Sequence, residues 1–275
     1  MKVYKSINNN IVSAFDSSGR EMVVIGKGIG YKTTEGAEID RSKVTKIFVM
    51  DSQNNLNKLI DLFSHVQKEY VEITDEILVF AKSHLQKELN ESTYFTLADH
   101  LSFAVERLKK GMTFENILLS EIKGFYPKEY EVGLFAIKQI KEKLGIDMPE
   151  AEAASIALHI LNAAYYTSVS EAFNATLLLA KITEYIIRHT ERAIDTTSNS
   201  GERFLVHLKY LVRRIITDQA CDSSDDGIYN MVQAQYLDKI KICEKIAEEI
   251  KNTHNYMLSK QEIACMAIHM QRVGI

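Results

Sequence analysis

Four of the eight histidines in this chain of 275 residues recur in matching sequence contexts. The stretch AEAASIALHI carries His159 and the stretch QEIACMAIHM carries His269, at an offset of 110 residues. Upstream, HLSFAVERL begins at His100 and HLKYLVRRI begins at His207. An offset of this size is a domain length rather than the period of a solenoid. The sequence therefore predicts a duplicated domain with two histidines in each copy.

Histidine is a nucleophile that can carry a phosphoryl group, and guanidinium groups suit the charge of a phosphate. Asp99 directly precedes His100. Arginines lie within two helical turns of both upstream histidines: Arg107 near His100, and Arg203, Arg213 and Arg214 near His207. Two simpler interpretations stay open at this point. The histidines could be satisfied core residues of a duplicated fold, and the arginines could belong to solvated helix faces.

A metal centre is a weaker hypothesis for these histidines. The recurring acids, Glu152 and Glu262, each lie seven residues before the second histidine of their copy. Two helical turns separate such side chains by about 10 Å along the axis, and zinc needs about four ligands. The chain also has no P-loop, nucleophile elbow or dinucleotide-binding fingerprint. We expect no catalytic residues, no metal and no cofactor, and hence no enzyme.

Helical periodicity dominates the chain after the polar stretch DSQNN at 51–55. Thr74 precedes two acids and predicts a capped helix start, and Pro149 predicts the start of the His159 helix. Its counterpart, Ser259 with Glu262, matches a capping box. We expect a first helical domain at 58–168 and a second at 172–275, each of about five helices.

Residues 1–49 instead contain short β-rich runs, VYKSI, IVSAF, EMVVI and KIFVM, separated by Asn, Gly and Ser clusters. This pattern predicts an antiparallel sheet of about four strands in a domain at 1–55, called here the head. The predicted fold class is therefore α+β multidomain, with a small sheet followed by two homologous all-α bundles. A domain this small is marginal alone, and we expect dimerisation of the sheet to stabilise it.

The composition, 46% hydrophobic and 25% charged, is that of an ordinary globular protein. No signal peptide or membrane span is evident, and three cysteines without a Cys-x-x-Cys pair suit a reducing compartment, so a cytoplasmic protein is expected. The net charge of −4 is uneven: residues 1–50 hold eight Lys or Arg against five Asp or Glu. A basic head on an acidic body places any nucleic-acid contact in the head.

Two further patterns indicate binding surfaces. Small residues surround His159, namely Ala153, Ala154, Ala157, Ala163 and Ala164, and favour close approach of a second copy in a symmetric dimer, near His100 and His159. In the head, the run GKGIG at 26–30 is followed by Tyr31 and preceded by Lys5 and the NNN turn at 8–10. Lysines for phosphates, asparagines for base edges and a ring for stacking form an RNA surface in one interpretation, although a glycine run among β-strands is more often a turn.

With these motifs together, the chain resembles bacterial transcriptional antiterminators of the BglG, SacY and LicT type over nearly all its length. The resemblance rests on the INNN turn, the GKGIGY loop and the two helical modules with paired histidines. It implies a homodimer whose head binds a hairpin in a leader mRNA and prevents an overlapping terminator hairpin. It also implies control through phosphorylation by HPr and a sugar-specific permease of the phosphotransferase system.

Carried over by motif, the phosphorylation sites are His100, His159, His207 and His269, with Asp99, Arg107, Arg203 and Arg214 as phosphate-pairing or orienting candidates. The RNA-binding residues are Lys5, Asn8, Asn10, Gly26, Lys27, Gly28 and Tyr31. The family often has Arg at the position of Lys27 and Phe at that of Tyr31. Val206 rather than an acid precedes His207, so the two upstream sites can differ in reactivity.

Two other functions remain compatible with these residues. One is a phosphorylation-responsive regulator that binds a protein partner and has no RNA role. The other, more distant, is a histidine-based metalloprotein.

Overall fold

The computed structural model describes residues 1–49, 61, 66–90, 92–112, 114–166, 168–219 and 226–275. The head is a four-stranded antiparallel sheet in the order β1-β2-β3-β4. Its strands are β1 (Lys2–Asn8), β2 (Ile11–Phe15), β3 (Glu21–Gly26) and β4 (Val44–Val49), with a 3-10 turn at Arg41–Lys43 before the last. The predicted sheet is confirmed.

The sheet buries apolar side chains on both faces, because successive residues of a strand point to opposite sides. One face packs with Ile29 and Ile39 from the loop that follows β3, and contributes Val3, Val12, Ala14, Met22 and Val24. The other face contributes Ile11, Val23, Ile25 and Phe48 to a cluster shared with the following helices. There the Phe48 and Tyr94 rings lie 4.9 Å apart. This face of the head is thus covered by helices of its own chain. Dimerisation of the sheet stays a prediction.

Ten helices occupy the described part of the chain beyond the sheet. They are α1 (Lys68–Leu85), α2 (Thr93–Lys109), α3 (Leu119–Phe125), α4 (Pro127–Leu144), α5 (Glu150–Tyr165), α6 (Val169–Thr190), α7 (Asn199–Ile216), α8 (Gly227–Gln235), α9 (Leu237–His254) and α10 (Lys260–Val273). The predicted α+β class with a helical remainder is confirmed. None of these helices combines the length and apolarity that crossing a membrane requires.

The chain divides into two compact units by its contacts. The first contains residues 1–116 and 128–164, and the second contains residues 117–127 and 165–275. Helix α3 therefore belongs to the second unit although it precedes α4 in the chain. The head belongs to the first unit, in keeping with its shared apolar cluster. The boundaries at 55, 58–168 and 172–275 stay a prediction.

One predicted helix start is wrong. Helix α1 begins at Lys68, and Thr74 lies inside it with an exposure of 0%. Tyr70, Val71 and Ile73 are buried in the same core, so the apolar face of the helix begins one turn earlier than the capping pattern indicates. The predicted starts at Pro149 and Ser259 agree with helices that begin at Glu150 and Lys260.

The alanines around His159 have a different role from the one predicted. Ala153, Ala154 and Ala157 are fully buried within the chain, and a Cβ on Gly133 would lie 2.0 Å from the Ala153 carbonyl oxygen. The lack of a side chain at Gly133 therefore lets α4 and α5 approach each other at Ala153. The alanines do not form a surface for a second copy, and this reason for a dimer contact was wrong.

Candidate functional site

The first histidine site lies between α2 and α5. Helix α2 supplies His100 and Arg107, and α5 supplies Glu152 and His159. Each pair is seven residues apart, so both of its members lie on one face of their helix. The His100 and His159 ring centroids are 4.7 Å apart. Glu152, 2% exposed, accepts a hydrogen bond from Arg107 and faces His100, with Oε2 3.3 Å from Nε2.

The second site repeats this arrangement between α7 and α10. The His207 and His269 rings stack with centroids 4.7 Å apart. Arg214 donates two hydrogen bonds to Oε1 of Glu262, from Nε at 3.2 Å and from an Nη at 2.7 Å. Glu262 is 3% exposed. The structure thus brings each upstream histidine, one of its predicted arginines and the downstream histidine into one cluster.

Burial keeps several of these imidazoles neutral. It lowers the pKa of His159 to about 3, with the neighbouring His100 as the second cause. It lowers the pKa of His207 to about 4, and His269 and Arg214 act in the same direction while Glu262 opposes them. It also lowers the pKa of His269, helped by Arg272. A neutral imidazole has a lone pair available, as a phosphoryl acceptor requires.

The remaining predicted residues lie at the edges of these clusters. Asp99 is exposed, so the carboxylate that faces His100 is Glu152 and not its chain neighbour. Arg203 lines an open depression together with Asn199, Ser200, His269 and Arg272. Two cations thus border the accessible side of His269, where they could hold an anionic group.

Sequence reasoning noticed Glu152 and Glu262 but compared each only with the histidine on its own helix. In the structure each glutamate meets the arginine of the partner helix instead. The available signal was the shared seven-residue spacing of His to Arg and of Glu to His, which predicts two complementary faces. Arg272 was also missed, although it lies one turn after His269.

Three of the predicted RNA-binding residues, Asn8, Asn10 and Gly28, are joined by hydrogen bonds. The Asn8 side-chain oxygen accepts from the Asn10 backbone N–H, and the Asn10 side-chain oxygen accepts from the Gly28 N–H, both at 2.9 Å. These bonds hold the NNN turn against the glycine loop. Gly28 has a φ of +68°, which favours glycine.

Several of the predicted RNA-binding side chains are exposed. Lys5, Asn8 and Lys27 are exposed, and Tyr31 is 59% exposed, with the Lys32 ammonium 5.4 Å from its ring centroid. Gly26 and Gly30 are buried instead, where a Cβ would lie about 2 Å from the carbonyl oxygens of Lys43 and Asn8. The glycines and Asn10 therefore shape the surface, and the exposed lysines and ring could contact a ligand.

Within the described ranges no group of three or more His, Cys, Asp or Glu side chains could hold a metal ion. In the first site Arg107 cannot ligate a metal and pairs with Glu152.

Comparison with known proteins extends over nearly the whole chain. Residues 1–57 match the CAT RNA binding domain, and residues 75–163 and 180–273 each match the PRD domain. LicT, a transcription antiterminator of Bacillus subtilis, is 33% identical over 273 residues, covering 99% of both chains. The beta-glucoside operon antiterminator of Dickeya chrysanthemi is also 33% identical, covering 99% of this chain and 96% of its own.

A solved structure supports the same assignment for the first half of the chain. The crystal structure of GlcT CAT-PRDI has a TM-score of 0.51 and 32% identity, covering 59% of this chain and 97% of that one. The sheet, the duplicated histidine clusters and these matches lead to one conclusion. The chain belongs to the family of transcription antiterminators of the BglG, SacY and LicT type, with a CAT RNA-binding domain followed by two PRD domains.

Proposed function

We propose that this chain, as a homodimer in the cytoplasm, binds a hairpin in a leader mRNA through its head and so prevents a terminator hairpin. RNA binding is controlled by phosphorylation of His100, His159, His207 and His269 by HPr and a sugar-specific permease. The chain accepts phosphoryl groups as a regulator and is not an enzyme. The observation that carries the regulatory part is the twice-repeated cluster of two histidines, one arginine and one buried glutamate.

The cluster suits a phosphoryl acceptor for two reasons. The low pKa values of His159 and His207 leave their rings neutral near pH 7. Each cluster also holds a guanidinium within reach, although Arg107 and Arg214 are paired with Glu152 and Glu262 before any phosphate arrives.

Phosphorylation would disturb this pairing. A phosphoryl group adds about −1.5 to −2 charges at pH 7. Beside His100 it would meet the buried Glu152 carboxylate and would compete with it for Arg107. Like charges in a buried site repel strongly, so the contact between α2 and α5 would rearrange. A local change of this kind can alter how two copies of the module associate.

The head supplies the RNA surface in this proposal. Lys5 and Lys27 would contact phosphates, Asn8 a base edge, and Tyr31 would stack on a base. Asn10, Gly26 and Gly28 would hold the loop in the shape that presents them.

The test is phosphorylation of the purified chain with HPr, the phosphoryl-donating enzyme of the system and a permease domain. Sites are mapped by mass spectrometry, and affinity for a leader hairpin is measured by gel shift before and after. We expect phosphate at the four clustered histidines and none at His84, His189 or His254, which serve as internal controls. Phosphate that leaves RNA affinity unchanged, or no RNA binding in either state, would contradict the proposal; the latter result would favour a regulator of a protein partner.

A further inference from the structure

The two histidine sites differ at the residue that precedes the glutamate-bearing helix. Helix α10 follows Ser259, whose hydroxyl accepts from the Glu262 N–H at 3.2 Å. The Glu262 Oε2 in return accepts from the Ser259 N–H at 2.9 Å and from its hydroxyl at 3.1 Å. The matching position before α5 is Pro149, which has neither a hydroxyl nor an N–H. The first site therefore cannot form this capping box.

As a result, the carboxylates of Glu262 and Glu152 differ in how many of their oxygens accept hydrogen bonds. Glu262 has both oxygens occupied, Oε1 by Arg214 and Oε2 by Ser259. Glu152 uses Oε1 for Arg107, whereas its buried Oε2 has no hydrogen bond to any described residue and lies 3.3 Å from Nε2 of His100. The buried Nε2 atoms of His100 and His207 both lack a hydrogen bond within the described part of the chain. His100 differs in that an uncommitted carboxylate oxygen, Oε2 of Glu152, faces its Nε2.

We propose that Glu152 is a positioning residue that fixes His100 as the Nε2–H tautomer, which leaves Nδ1 as its phosphoryl acceptor. Ser259 withholds the equivalent carboxylate from His207, so that histidine has no imposed tautomer. The residue at position 149 or 259 thus decides which upstream histidine is oriented. The tautomer itself is independent of the proposed function, and only the acceptor nitrogen rests on it.

The chemistry follows from the arrangement around His100. A small rotation of the ring would align its Nε2–H with Oε2, because the two atoms already face each other at 3.3 Å. In transfer from a donor phosphohistidine, the Nδ1 lone pair forms the new N–P bond while the donor N–P bond breaks and its electron pair returns to the donor ring. The His100 ring then gains positive charge, which the Glu152 carboxylate stabilises through the Nε2–H, as an orienting acid does for a catalytic histidine.

The test begins with the unphosphorylated full-length chain labelled with ¹⁵N-histidine. Ring ¹⁵N chemical shifts near neutral pH report which nitrogen carries the proton, and His100→Gln and His207→Gln assign the two rings. A hydrogen bond to a charged group is worth about 1.5–3 kcal/mol, so we expect the Nε2–H tautomer of His100 to exceed the other about tenfold or more. We expect a mixture at His207. A mixture at His100, or its Nδ1–H tautomer, overturns the proposal.

Two reciprocal variants test the role of the preceding residue. Pro149→Ser supplies the missing hydroxyl and N–H, and should reduce the tautomer preference at His100 by drawing Oε2 away. Ser259→Pro is compatible with the φ of −68° at this position, and should create the preference at His207 by releasing Glu262. Ser198→Ala is the matched control, because it removes the cap of α7, where the hydroxyl accepts from Gly201, without touching either glutamate. Unchanged tautomers in both reciprocal variants overturn the role assigned to position 149 or 259.

The acceptor nitrogen is then read from the phosphorylated chain by ³¹P and ¹⁵N spectra, which distinguish the two phosphohistidine isomers. We expect the Nδ1 isomer at His100, and the Nε2 isomer there would refute the assignment of the acceptor. If the tautomer preference is present but no histidine accepts phosphate, the proposed function fails and the role of Glu152 in fixing the tautomer stands. If phosphate is accepted without a tautomer preference at His100, the proposed function stands and the role of Glu152 in fixing the tautomer fails.

Discussion

At the scale of single residues, folding lowers the pKa values of His159, His207 and His269 because it buries their imidazoles. Two half-buried rings with centroids 4.7 Å apart cannot both take a positive charge without cost. Burial lowers the pKa of the downstream histidine, His159, to about 3 in the first site, and that of the upstream histidine, His207, to about 4 in the second. The duplicated sites are therefore not equivalent, even though their residue types are.

The first prediction concerns the pH dependence of stability. Because the folded-state pKa values of His159 and His207 lie at about 3 and about 4, below an unfolded value of about 6.5, the unfolded chain binds more protons between these limits. This contribution to stability is complete above pH ~6.5 and is lost as the pH falls towards the folded values. Urea midpoints between neutral and mildly acidic pH should fall less steeply in His159→Gln than in the parent chain. His189→Gln, an exposed histidine, serves as the control and should keep the parental slope.

The second prediction concerns the exposed ring of the head. If Tyr31 stacks on a base, Tyr31→Ala should weaken binding of the leader hairpin by roughly 1–3 kcal/mol. Tyr31→Phe keeps the ring and should bind within a few-fold of the parent. Gel-shift titrations at one fixed salt concentration provide the comparison, and equal affinities for all three chains would remove Tyr31 from the RNA surface.

At the scale of secondary-structure elements, the contact between α4 and α5 sets how close the histidine-bearing helix can lie. Gly133 permits this approach, because any side chain there would collide with the Ala153 backbone. The matching position of the second copy is Cys243, fully buried and in contact with Met270. The two helical modules thus have side chains of different volume at the same helix contact, none at Gly133 and a thiol at Cys243.

The third prediction follows from that contact. Gly133→Ala should lower the free energy of unfolding by roughly 1–3 kcal/mol through overpacking, despite the better helix propensity of alanine. Gly124→Ala, in helix α3 with nothing within 4 Å of the added Cβ, is the matched control and should be neutral or stabilising by up to about 1 kcal/mol. Urea unfolding of both variants decides this, and equal midpoints would show that α5 shifts without cost.

At the scale of the whole molecule, the sheet face of the head that contains Phe48 can be covered either by helices of the same chain or by a second head. In this structure Ile11, Val23, Ile25 and Phe48 pack with the helical residues of the same unit. Separated from those helices, the same face would be exposed and would favour association of two heads, since apolar patches of this kind drive self-association.

The fourth prediction is that residues 1–55 alone form a dimer and bind the leader hairpin. The basic charge, the exposed lysines and Tyr31 all lie within this fragment, so the helical modules should be dispensable for contact. Sedimentation and gel shift of the fragment are the measurements, with binding that weakens as salt increases because phosphate contacts release counterions. A fragment that does not bind, beside a headless chain that does, would place the RNA surface elsewhere.

The fifth prediction concerns control of the dimer by charge. Aspartate at His207 or His269 should shift the chain towards the form that binds RNA, and aspartate at His100 or His159 should oppose it. These signs come from the family resemblance. The physical basis is that a charge near a symmetric contact appears twice, and a difference of a few kcal/mol inverts a two-state population. RNA affinity and sedimentation are compared across the four variants, with glutamine at each position as the uncharged control. Parental behaviour in all four aspartate variants would make the histidines structural.

Local sequence patterns were enough to predict the α+β class, the duplication, the four paired histidines and the helix starts at Pro149 and Ser259. These follow from local rules: residue periodicity, capping chemistry and the repetition of short motifs at offsets of 107 and 110 residues. The start of α1 was misjudged because Tyr70 and Val71 are helical through packing with the core, which no local pattern records.

The partners of each functional side chain follow from the packing of segments that are distant in the sequence. Glu152 lies 52 residues from His100 in the chain, and their contact exists because two helix faces pack together. The buried role of the alanines, the pairing of Arg107 and Arg214 with glutamates, and the free oxygen that Pro149 leaves on Glu152 arise in the same way. Charge, burial and distance between remote segments are properties of packing, and spacing along the chain does not specify them.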